Sequence, residues 1–165
     1  MALITAYLTL QGSRQGNIPG SVTQKGHEGS ILVHSFSQQI ISPRDPASGL
    51  PTGQRQHSPL TLLKEVDKSS PLLWNALVNN ETLVNWQLKF YSAATVPAAM
   101  QKQIYTVQLT NASIASMRDY MTDNDDPNNA RLPLLEQITF TYQKIEWVWT
   151  DGGITAQDDW ESPVA

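Results

Sequence analysis

At 165 residues, 40% hydrophobic and 16% charged, the chain is long enough to bury one core, too short for two joined by a linker, and too weakly charged to stay disordered. A net charge of -4 and a pI of about 5.2, with no Lys/Arg cluster, exclude the concentrated basic face that nucleic-acid binding needs. The absence of cysteine excludes a disulfide framework, a thiolate metal site and a thiol nucleophile.

The first segment, MALITAYLTLQG, has no basic residue ahead of Arg14, and Thr5 and Thr9 interrupt its apolar run. It therefore reads as a strand and not as an export signal. Ala2, Ile4, Ala6, Leu8 and Leu10 share one side of it, and Leu3, Thr5, Tyr7 and Thr9 the other. A second strand is predicted over Ser30 to Ile41, with Ile31 and Val33 opposing Leu32, His34 and Phe36. Pro59 to Val66 forms a third.

One helix stands out, with Ser70 as N-cap, Pro71 in its first turn and an end near Asn79 and Asn80. Its Leu and Trp face packs on the sheet, with Leu77 among the buried side chains. From Val84 to Phe90 the alternation predicts Val84, Trp86, Leu88 and Phe90 facing inward and Asn85, Gln87 and Lys89 facing water. Ile104 to Ile114 and Leu135 to Thr150 read as further strands, the latter with Ile138, Phe140 and Tyr142 on one face. The pattern predicts a mainly β fold, a barrel or sandwich closed or plugged by the helix. Two irregular stretches, Ser42 to Gln56 and Tyr120 to Arg131, are long for a compact domain, and such loops often carry partner contacts. No stretch is apolar for long enough to span a bilayer, so no membrane insertion is expected.

Motifs that carry chemistry are sparse. His27, His34 and His57 have no second ligand at a metal-site spacing on one element, and structural or surface roles are expected for them. There is no G-x-S-x-G, P-loop or G-x-G-x-x-G, so neither catalysis nor a cofactor is indicated. Asp123 and Asp125 imitate the start of a calcium loop, but Pro127, Asn128 and Leu134 stand where a ligand, the turn glycine and the closing Glu belong. A solvated acidic loop is the expectation. Trp86 and Trp74 fall on apolar stripes and read as core. Trp147, Trp149 and Trp160 fit either packing or a sugar-stacking surface.

Gly53-Gln54-Arg55-Gln56-His57-Ser58-Pro59, followed by Lys64-Glu65-Val66-Asp67-Lys68-Ser69-Ser70-Pro71-Leu72-Leu73, resembles the central signature of the Hcp (haemolysin-coregulated protein) family of type VI secretion tube proteins. Gly26-His27-Glu28-Gly29-Ser30-Ile31 resembles that family's entry to its second strand. Leu135 to Trp147 resembles the last long strand, and Asp151-Gly152-Gly153-Ile154 with Asp158-Asp159-Trp160 resembles the tail. The segments occur in family order, and the pattern is most similar to the enterobacterial type with an extended loop after the second strand. Ser92 to Lys102 and Tyr120 to Arg131 depart from it.

The resemblance implies a single Hcp-like domain over residues 1–165, a small two-sheet β-barrel with one flanking α-helix, an extended loop at about 42–56 and a variable acidic loop at about 120–131. It implies a structural subunit and no enzyme. Copies form a homohexameric ring, rings stack into a tube inside a contractile sheath, a spike protein caps the tip, and effector proteins ride in the lumen. Such a protein is made in the bacterial cytoplasm and secreted to the extracellular space or a target cell without a cleaved signal peptide. In related proteins the loop after the second strand reaches a neighbouring subunit or ring, which makes Pro43, Arg44, Asp45, Leu50, Pro51 and Thr52 the candidate interface residues, with a flexible surface loop as the alternative reading. A secreted carbohydrate-binding or hydrolytic effector is the alternative function. With only Glu161 to Ala165 following Trp160, an appended toxin domain is not expected.

Overall fold

The computed structural model describes residues 4–93 and 101–160. Ala2 and Leu3 of the first predicted strand, most of the variable stretch after Ser92, and Glu161 to Ala165 lie outside the described residues. The strands are β1 (Ile4–Gly12), β2 (Gly16–Asn17), β3 (Ile31–Ser37), β4 (Ile40–Ile41), β5 (Gln56–His57), β6 (Leu60–Glu65), β7 (Leu83–Ser92), β8 (Lys102–Thr110), β9 (Ser113–Tyr120), β10 (Leu135–Thr141), β11 (Lys144–Trp149) and β12 (Ile154–Asp159). Helix α1 spans Ser70–Val78, and a short 3-10 helix spans Pro127–Asn129. None of the described helices is long and apolar enough to cross a membrane.

The main sheet is antiparallel throughout and runs β12-β11-β8-β7-β1-β3-β6-β10-β9, with β2 beside β1 and a separate β4-β5 pair. It curls upon itself. Trp86 on β7 meets Phe140 on β10 with ring centroids 5.3 Å apart, although three strands separate them in the order. Both halves of the curl feed one cluster of buried side chains, among them Leu8, Leu60, Leu73, Trp86, Leu88, Val107, Ile138 and Phe140. The mainly β architecture with a flanking helix is thus as the sequence predicts. The hydrogen-bonded order is an open path from β9 to β12, and not a closed ring of strands.

Four predicted spans are corrected by turns and bulges. The stretch Ser30 to Ile41 breaks after Ser37, and a register shift between Val33 and Ser35 absorbs His34 as an extra residue. Phe36 is thereby turned onto the core side, edge-on to Phe90 at 5.3 Å, as a bulge does to every residue beyond it. In β7 the register shifts against β1 near Asn85, whose φ is +52°. Leu83 therefore takes the buried place expected for Val84, which is half-buried. Ile104 to Ile114 crosses a turn at Asn111 (φ +50°) and belongs to two strands, β8 and β9. Leu135 to Thr150 likewise splits at Tyr142-Gln143 into β10 and β11.

Helix α1 begins at the predicted residue, but its cap position is Ser69, which makes no side-chain cap bond. Leu73 and Ala76 are its buried apolar residues, whereas Leu77 sits on the flank and is only half-buried. Trp74 is half-buried too, its indole N–H donating to Asp119 on β9 at 3.2 Å.

On the outer side of β1 a strap, residues 18–30, folds back over Tyr7. Gly20 donates to the Gly29 carbonyl and Gly29 to that of Val22, both at 2.9 Å. A side chain at Gly20 would place its Cβ 2.2 Å from the Ser30 carbonyl oxygen. Under the strap Tyr7 is buried, stacked on His27 at 4.0 Å and edge-on to Tyr91, with its hydroxyl donating to Gln24.

Candidate functional site

The six residues singled out between positions 43 and 52 come together on one hairpin arm. Its stem is the β4-β5 pair, with Ile40 opposite His57 and Ile41 opposite Gln56. Arg44 bridges Pro51, and Thr52 donates to the Pro43 carbonyl at 3.0 Å. At the tip the Asp45 N–H reaches the Leu50 carbonyl and the Gly49 N–H reaches that of Asp45, both at 2.8 Å. The Asp45 carboxylate accepts from the Ala47 N–H and the Ser48 hydroxyl, which hold its pKa below the usual value, Ala47 first. Arg44, Leu50, Pro51 and Thr52 are exposed, Leu50 by 65%. The arm thus presents Leu50 to solvent on a hydrogen-bonded projection.

The base of the arm holds a cluster that spacing alone could not reveal. His57 Nδ1 lies 2.7 Å from the Tyr142 hydroxyl, and Nε2 lies 2.7 Å from Asp158 Oδ2. With its proton on Nε2 the ring donates to the carboxylate and accepts from the phenol, so each group is satisfied. Arg55 grips the same strand twice, Nε to Asp158 Oδ2 at 2.5 Å and Nη2 to the Asp159 carbonyl at 3.0 Å. Trp160 stacks on His57 at 5.8 Å and donates its indole N–H to the Tyr142 carbonyl. On the outgoing limb Gln38 accepts from the indole N–H of Trp147 at 3.1 Å.

This Tyr–His–Asp arrangement is not an activated nucleophile. Burial, and then the Asp158 charge, push the Tyr142 hydroxyl up to about 12, the opposite of what nucleophilic attack requires. Asp158 is held below the usual carboxylate range by Arg55 first, with His57 adding to it against the opposing effect of burial. The cluster fastens the arm to the β11-β12 hairpin.

A second polar cluster sits in the core. Alternation along β6 and β10 points Lys64 and Glu136 inward, where they face each other in register, fully buried, with Nζ and Oε1 2.9 Å apart. Lys64 also donates to Asp67 at 3.1 Å, to the Glu65 carbonyl at 2.9 Å and to the Ser70 hydroxyl at 3.2 Å. Asp67 in turn takes the Ser69 N–H at 2.9 Å. The residues from Lys64 to Pro71 are therefore a corner that joins strand to helix. Burial, with Asp119 adding, raises the Glu136 pKa against the pull of Lys64.

The remaining candidates are accounted for locally. His34 is an exposed neighbour of Glu65 at 3.6 Å, and His27 belongs to the stack under the strap. In the acidic loop Asp123 accepts from the Asp125 N–H and Asp126 from the Asn128 N–H, each at 2.9 Å, so two carboxylates shape backbone turns. Among the described residues no group of three or more His, Asp or Glu converges as metal ligands. Trp86 is fully buried, Trp147 packs on the core, and Trp149 and Trp160 are each 46% exposed. A half-open recess of about 310 Å³ lies beside Tyr7, Ser21, Gln24, Glu65 and Asp67. It offers no paired nucleophile and base, Asp67 being held in the corner described above.

Residues 7–149 match the protein family described as "Type VI secretion system effector, Hcp". The major exported protein of Pseudomonas aeruginosa is 41% identical over 97% of both chains. Among solved structures, an Hcp protein superposes with a TM-score of 0.84 at 28% identity, covering 97% of this chain and 99% of that one. The Hcp1 protein of the Escherichia coli EAEC 042 pathovar superposes at 0.79 with 30% identity, over 94% and 98%.

Proposed function

The chain belongs to the Hcp family of type VI secretion system proteins, and from that premise we propose that it is a structural subunit of the inner tube. The whole chain is read as one Hcp-like domain. Copies meet through unlike faces and close into a hexameric ring, rings stack, and effector proteins travel in the lumen within a sheath and behind a spike. Closure by a head-to-tail contact requires two complementary patches per subunit, and stacking requires more. The arm supplies one of them through Pro43, Arg44, Asp45, Leu50, Pro51 and Thr52, and the main sheet ends in two strands, β9 and β12, each with one neighbour in the strand order. Export from the cytoplasm without a cleaved signal is part of this reading, supported by a relative called a major exported protein.

The observation that carries the proposal is the arm: a hydrogen-bonded projection whose apolar tip residue, Leu50, is 65% exposed among the described residues. Negative-stain microscopy of the purified protein tests it. Ring-shaped particles with six-fold symmetry are the expected result. A strictly monomeric species at high concentration overturns the proposal.

A further inference from the structure

Among the described residues, the arm is held at its stem. The hydrogen bonds made by residues 43–52 stay, among the described residues, within that stretch, and an isolated two-stranded hairpin is marginal in water. Its direction must come from what grips the stem. Those grips are Gln38 on Trp147, Arg55 on Asp158 and the Asp159 carbonyl, and His57 on Asp158 and Tyr142. One carboxylate, Asp158, receives two of them, and it sits on the core-facing side of β12 opposite the fully buried Ile145. It reaches the arm from a position 101 residues away in the chain.

Resting on the reading of the arm as an assembly contact, we propose that Asp158 is a positioning residue: through Arg55 and His57 it aims the arm, so that a second copy of this chain meets a preset surface only while β12 is in place. Arg55 makes the aim directional. Its planar fork engages a side-chain oxygen and a backbone oxygen of the same strand, which a lysine ammonium cannot reproduce as a rigid pair. An arm released from this grip samples other directions, and the affinity of any partner falls by the fraction of time spent in the competent one.

The chain has no cysteine, so spin labels on Ser48→Cys at the tip and Asn75→Cys on α1 report the arm's direction without background. Labelled protein diluted into unlabelled protein gives the distance within one subunit. Asp158→Asn and Arg55→Lys should each broaden that distance distribution at least about twofold and raise the concentration midpoint of ring assembly about tenfold. The double variant should be no weaker than either single one, because both break the same link. Arg55→Lys carries the test if Asp158→Asn fails to fold. A distribution that stays narrow in the variants, or a midpoint that does not move while Leu50→Asp blocks assembly, overturns the proposal. If Leu50→Asp assembles normally, the reading of the arm as an assembly contact fails on its own account, with the coupling overturned alongside it, while ring formation itself stands.

Discussion

Two polar clusters, one between β6 and β10 and one between the β4-β5 stem and β12, do different work with similar residues. Lys64 and Glu136 are adjacent in register and sealed in the core, so their charges are answered there or not at all. Asp158, Arg55 and His57 join segments about a hundred residues apart at a partly open surface, where water can replace a lost partner. The difference teaches that the corner between β6 and α1 secures the fold, whereas the cluster at the arm's base secures a direction. Their pH responses have opposite signs. The Glu136 pKa is raised in the folded state by burial, so its contribution to stability falls as pH rises from the ordinary carboxyl value through the folded one. The Asp158 pKa is lowered, by Arg55 foremost, so its contribution is complete above the ordinary value and is lost as pH falls through the folded one.

The comparison breaks most visibly at Lys64. Lys64→Ala leaves a buried carboxylate without its partner and should lower stability by about 3–5 kcal/mol in urea melts, while Lys64→Met combined with Glu136→Leu should come within about 1 kcal/mol of the parent. A single variant that melts like the parent would show that the corner secures nothing. Leu73→Ala, on the fully buried side of α1, should cost about 2–5 kcal/mol. Leu77→Ala on the flank should cost about 1 kcal/mol, and equal losses at the two positions would place the helix differently.

At the arm's base the effect is one of pH. Spin-label distances from the tip should stay narrow at neutral pH and broaden as acid protonates Asp158 below its ordinary value of about 3.9. Asp158→Asn should show the broadened form at every pH. Leu50→Asp at the exposed tip should change stability least, by under about 0.5 kcal/mol, while abolishing ring formation in the microscope. A large stability loss there would mean that the tip is packed and not free.

Much of the fold was legible because alternation and helix signals are local. The helix from Ser70, the inward Trp86 and Leu88, and the strand from Pro59 to Val66 follow from neighbouring residues. What was missed lies where the chain turns without glycine or proline. Asn111-Ala112 and Tyr142-Gln143 carry weak turn signals, and the bulges at His34 and near Asn85 shift phase without a distinctive residue. The inward phase of Lys64 beside Leu60 and Leu62, matched by Glu136 beside Ile138 and Phe140, was a readable sign of a buried pair. Nothing local links His57 to Asp158, since only folding brings them together. The arm residues were readable as one stretch, and the contact assigned to them stands as a proposal.

Gly20 carries a cost of a different kind. With the Ser30 carbonyl 2.2 Å from where a Cβ would lie, backbone meets backbone, and no rotamer can relieve the clash. Even alanine there forces the backbone of Gly20 or Ser30 to move, so the outer wall closes over its tyrosine on the strength of one hydrogen atom.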